Sequence, residues 1–66
     1  MTSAISVFGV GKVGITLISA MLNKNIKVIG VDKNKILLNE IKNKNYISDE
    51  PGVQRILNKK IDLLTV

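Results

Sequence analysis

Cysteine and histidine are absent from this 66-residue chain, and proline occurs once. Without cysteine there is no disulfide staple and no thiolate nucleophile. Without histidine there is no imidazole base, and the two absences together remove the common zinc ligand sets. Aromatic side chains are scarce: Phe8 and Tyr46 stand alone, too few for the stacking platform that single-stranded nucleic acid requires. Long apolar runs are missing as well, none nearing the ~18 residues of a membrane span. The amino terminus lacks a basic stretch ahead of an apolar one and lacks a cleavage site, unlike a secretory leader. These absences lead to the expectation of a cytoplasmic protein with neither nucleic acid nor membrane as partner.

What is present is a basic but otherwise ordinary globular composition. Apolar residues make up 45%, and the net charge is +5, from ten Lys or Arg against five Asp or Glu. Such an apolar fraction argues against disorder. The positive residues are scattered, with no run longer than two. They read as a solvated surface with some bias toward phosphorylated ligands. A chain of this length forms one domain at most and buries only about 60% of its unfolded surface.

Hydrophobic patterning predicts alternating strands and helices. Ala4 to Phe8 is a short apolar run with β-branched residues that stops at Gly9, as a buried parallel strand does. Ile15, Leu17, Ile18, Met21 and Leu22 then recur at helical spacing and predict a helix from about Lys12 to Asn23. Asn23, Lys24 and Asn25 break it, asparagine being tolerant of the left-handed conformation that ends helices. Residues 26–31 form a second strand run. A second helix over 35–43 presents Leu37, Leu38 and Ile41 as a narrow apolar stripe. Asp49, Glu50, Pro51 and Gly52 mark a third helix start, with proline in the first turn. Residues 61–66 resemble a third strand. The order β-α-β-α-α-β is that of an α/β chain with a short parallel sheet of two or three strands.

The glycines between the first strand and helix carry the chemistry. Gly9, Gly11 and Gly14 have the G-x-G-x-x-G spacing, with Val10, Lys12 and Val13 between them. Gly9 lets the chain turn off the strand, Gly11 leaves room for a diphosphate to approach the backbone, and Gly14 lets the helix pack closely. The free N–H groups of the helix's first turn face the same place. Asp32 ends the second strand, eighteen residues past Gly14, where a carboxylate accepts hydrogen bonds from adenosine ribose hydroxyls and repels a 2′-phosphate. This combination reads as the start of a Rossmann fold that binds NAD rather than NADP. Plainer readings stand beside it. The glycines also suit a turn without a ligand, and Asp32 the N-cap of the second helix. Lys12 is either an exposed helix residue or a charge aimed at the diphosphate. Gly30 either admits a close neighbour or is merely tolerated.

Residues 5–14 (Ile-Ser-Val-Phe-Gly-Val-Gly-Lys-Val-Gly), then Val28-Ile29-Gly30-Val31-Asp32, then Glu50-Pro51-Gly52-Val53, resemble the opening of the UDP-glucose/GDP-mannose dehydrogenases. Its pattern is a strand, G-x-G-Y-V-G, a helix, V-x-G-x-D, a second helix and E-P-G-L. The resemblance implies NAD as cofactor, bound through Gly9, Val10, Gly11, Lys12, Val13, Gly14 and Asp32. It also implies a parent enzyme that oxidises the C6 alcohol of a nucleotide sugar to a carboxylate by two hydride transfers. In that family a cysteine nucleophile with lysine and asparagine helpers lies far downstream, so this chain is expected to be a catalytically inactive N-terminal segment of an incomplete domain spanning 1–66. Lys12 stands where the family usually has tyrosine. Leu37 stands where a basic residue often approaches the adenosine, leaving Lys33 or Lys35 as substitutes. Glu50 either lines the substrate side or starts a helix. A free-standing nucleotide-binding regulatory module and a fragment of another NAD-dependent dehydrogenase are the alternatives. In a doubly wound sheet the first strand is central. With no fourth strand beside it, Ala4 to Phe8 is expected to expose an edge and drive self-association.

Overall fold

Residues 4–66 are described by a computed structural model; residues 1–3, part of the single expected domain, lie outside the described residues. The first apolar run forms β1, Ala4–Phe8, and the chain leaves it at Gly9 to enter α1, Lys12–Asn23. Helix α1 ends as its asparagines suggest. Asn25 adopts a φ of 62°, in the left-handed region, and the chain re-enters the sheet as β2, Lys27–Val31. Helix α2, Lys35–Lys42, and helix α3, Pro51–Lys60, follow. The last two residues assigned to the sheet, Leu64–Thr65, form β3.

The sheet is parallel throughout, in the order β1-β2-β3. In register, Ile5 lies opposite Val28, Val7 opposite Gly30 and Phe8 opposite Val31. Because side chains alternate across a strand, Ile5, Val7, Val28 and Gly30 share one face. That face is covered by helices: Val7 and Val28 are buried with Ile15, Ile18 and Leu22 of α1, Ile41 of α2, and Val53 and Leu57 of α3. Helix α1 lies against both β2 and α3 and is the centre of the core. The opposite face carries Phe8, Ile29 and Val31, all exposed, Phe8 by 79%.

The third strand is shorter than expected. Residues 61–66 do not form one extended run, because Ile61–Leu63 is a single 3-10 turn continuing from α3. Tightening to i→i+3 bonds is a common way for a helix to end. Here it turns Ile61 and Leu63 inward against the core, half-buried, covering apolar surface from a turn rather than from alternate positions of a strand. The pairing that remains sets Leu64 opposite Val28 and Thr65 opposite Ile29. Two boundaries also move by one residue: β2 begins at Lys27 rather than Ile26, and α2 ends at Lys42 rather than Asn43.

Candidate functional site

The glycine turn sits at the carboxyl end of β1, beside the carboxyl end of β2. Gly9 has a φ of +94°, which an L side chain rarely adopts, and its N–H donates to the Val31 carbonyl at 2.7 Å. Gly14 is glycine for a packing reason, since a Cβ there would overlap the Gly9 carbonyl oxygen. Gly11 differs from both. It has an ordinary φ of −68° as the N-cap of α1, and a Cβ on it would meet only open space. Nothing among the described residues requires Gly11 to lack a side chain.

Helix α1 therefore begins without the usual local satisfaction of its first turn. Gly11 offers no side-chain cap, and no acidic residue lies in the first turn. The leading N–H groups and the positive end of the helix dipole face outward. Lys12 and Val13 are exposed beside them. The Lys12 ammonium lies 3.4 Å from an Asp49 carboxylate oxygen. Both side chains are exposed, so the pair contributes little to stability, but it ties the turn's lysine to the loop before α3. A cleft of about 100 Å3 lies between α1 and residues 46–50.

Asp32 is joined to the turn. Its Oδ2 accepts the Val10 N–H at 2.6 Å, and its Oδ1 accepts the Asn34 N–H at 2.8 Å. These backbone donors hold the carboxyl below the usual aspartate value of 3.8, the Asn34 bond contributing most, then that of Val10; partial desolvation opposes them. Asp32 is not the N-cap of α2. That place belongs to Asn34, whose side chain accepts the Leu37 N–H at 3.1 Å. An open concavity of about 450 Å3 lies against the turn, lined by Phe8, Gly9, Val31, Asp32 and Lys33. Lys33 thus reaches the same hollow as Asp32, while Leu37 packs against the core.

The seven residues singled out from the sequence thus occupy one end of the sheet, with Asp32 directly bonded to Val10. Glu50 is the N-cap of α3, with Pro51 in its first turn and no side-chain capping bond, and lines the cleft beside Lys12. Four participants were not singled out from the sequence: Asn34, Phe8, Val31 and Asp49. Asn34 could have been found, because asparagine three residues before Leu37 opens an apolar-periodic run. Phe8 and Val31 read simply as strand residues; their exposure depends on which sheet face the helices cover. The Lys12 and Asp49 contact joins positions 37 residues apart and has no local signature.

The turn fits a dinucleotide in one respect that its own packing does not explain, the open space at Gly11 next to uncapped helix N–H groups. Comparison with known proteins identifies the family. The chain is 38% identical over 58 residues to the UDP-N-acetyl-D-mannosamine dehydrogenase of Methanococcus vannielii, a match covering 88% of this chain and 14% of that protein. No solved structure matches the chain. The profile of the UDP-glucose/GDP-mannose dehydrogenase family, NAD binding domain, matches residues 3–65, and the chain belongs to that NAD-binding family.

Proposed function

We propose that residues 9–14 and Asp32 form the adenosine-diphosphate half of the NAD site of a nucleotide-sugar dehydrogenase. The diphosphate lies over Gly11 and the N–H groups of Lys12 and Val13, and the Asp32 carboxylate accepts from the adenosine ribose. The observation that carries this reading is the emptiness above Gly11, set beside a carboxylate bonded to the adjoining residue. A carboxylate has about four acceptor positions. The two backbone bonds to Asp32 leave room for hydroxyl donors. The same charge disfavours a 2′-phosphate.

The reaction assigned to the longer protein is oxidation of a sugar C6 alcohol to a carboxylate, with NAD accepting hydride. A cytoplasmic location belongs to the same proposal. The chain spans 14% of the length of the relative it matches and contains no cysteine. We therefore assign cofactor binding to these 66 residues and the catalytic groups to sequence outside them. Hydride transfer needs a substrate held against the nicotinamide, and the residues named here approach only the other half of the cofactor. A further part of the proposal is self-association of the chain through β1, supported by its position at the sheet edge and by the exposure of Ile5 and Phe8.

The test is calorimetric titration of NAD and NADP into the wild-type chain and Asp32→Ala. The reading expects NAD to bind more tightly than NADP, and the substitution to weaken NAD while narrowing the difference. Equal affinities of the wild type for both cofactors would remove the ribose and 2′-phosphate assignment.

A further inference from the structure

The end of β2 holds the glycine turn at three successive residues. Val10 is fully buried, although it lies in a turn whose neighbours are exposed. Its Cγ2 lies 3.2 Å from where a Cβ on Gly30 would be, and shares that space with Val66 Cγ1, also at 3.2 Å. The Val31 carbonyl accepts the Gly9 N–H, and the Asp32 carboxylate accepts the Val10 N–H. Val10 is thus seated by its side chain and anchored by its amide. The sheet supplies a glycine notch and a carboxylate at alternate positions 30 and 32, with a carbonyl between them.

We infer that Gly30 and Asp32 are positioning residues for the diphosphate turn, acting through Val10, and that Asp32 serves the cofactor in this way as well as through the ribose. The inference rests on the nucleotide reading of the site, but its physical basis exists without ligand. A buried side chain and a charge-assisted hydrogen bond hold the Val10 backbone in one conformation. The next residue, Gly11, is then held where its N–H and the first N–H groups of α1 converge. Losing either anchor leaves the turn free to sample conformations that do not converge. The remaining acceptor positions of Asp32 let ligand bind without breaking the anchor. Asparagine cannot replace it fully. Its amide has a single acceptor oxygen for the Val10 and Asn34 donors, which now bond to separate oxygens.

Two measurements on the 66-residue chain test this. The first is hydrogen exchange of the Val10 amide without ligand, in wild type, Asp32→Ala and Asp32→Asn. The expected result is exchange faster by about tenfold in Asp32→Ala, with Asp32→Asn between; unchanged exchange overturns the anchor. The second compares binding of ADP with that of its analogue lacking both ribose hydroxyls. Positioning through Val10 predicts that Asp32→Ala weakens both ligands, the analogue by about fivefold or more. If Asp32→Ala weakens ADP and leaves the analogue unchanged, the ribose contact stands and the positioning role is overturned. If wild type binds neither ligand, the nucleotide reading fails, and the exchange result alone decides the anchor. Gly30→Ala, with Asp32 intact, is expected to weaken both ligands equally.

Discussion

Asp32 and Gly11 show what single residues do here. Asp32 is a carboxylate whose folded-state pKa is depressed, chiefly by the Asn34 N–H and then by that of Val10. Its contribution to stability is therefore fully present above the ordinary aspartate value of 3.8 and is lost as pH falls through the depressed folded value. An acid titration of unfolding should show the difference between wild type and Asp32→Asn constant from neutral pH to about that ordinary value and shrinking below it. A difference that grows on acidification would contradict the assignment of the two backbone bonds. Gly11 gives the complementary case. Since a side chain there meets nothing in the chain, Gly11→Val should lose NAD binding by about tenfold or more, while its melting midpoint moves by only a few degrees, through loss of an acceptable N-cap. The same substitution at Gly14 is expected to unfold the turn, because the Gly9 carbonyl occupies the space. Three glycines at fixed spacing were legible in the sequence as one motif. Their division of labour was legible too, Gly9 and Gly14 answering to the fold and Gly11 to open space; that the Gly9 carbonyl oxygen is the atom Gly14 must clear was not, because it depends on where the helix lies relative to the turn.

Among the elements, the strands and helices with strong apolar periodicity lie close to where their patterns put them. Helix α1 has five apolar residues on a repeating face and starts and ends as expected. The weak point was residues 61–66, where Ile61 and Leu63 suit a strand or an inward-facing turn equally; they form the turn, and only Leu64–Thr65 pair as a strand. Asp32 is similar: from position alone it suits a helix cap or a ligand clamp, and the structure gives the cap to Asn34. One element end is strained. Lys44 follows α2 with a φ of 64°, a left-handed conformation that costs a non-glycine residue about 1–2 kcal/mol. Glycine loses about 0.5–1 kcal/mol more backbone entropy on folding, so Lys44→Gly should stabilise the chain by about 0.5 kcal/mol, seen as a rise of about 2–4 °C in melting temperature. A fall would mean that the lysine stem packs more tightly against the core than its exposure allows.

Across the whole molecule, the core lies on one side of the sheet only. Val7, Val28 and the helices form it, while Phe8, Ile29 and Val31 face outward on the other side, and among the described residues β1 has no partner on one flank. The expectation of an exposed first strand came from topology, since β2 and β3 both lie to one side of it. Paired across a two-fold axis, β1 would meet an identical edge with its backbone donors and acceptors matched. Sedimentation of the 66-residue chain should therefore show mass rising from monomer toward dimer with concentration, and Phe8→Lys should lower that association. A monomer at all concentrations would exclude the pairing. The concavity beside Gly9 and Asp32 is lined by the exposed Phe8 and Val31, so the proposed association and the proposed cofactor site would draw on neighbouring surface. NAD titration followed by amide chemical shifts, residue by residue, locates the cofactor on the chain. The largest changes are expected at Gly11, Lys12, Val13 and Lys33; changes confined to α2, α3 or β3, with those four amides unmoved at saturation, would overturn the proposed site.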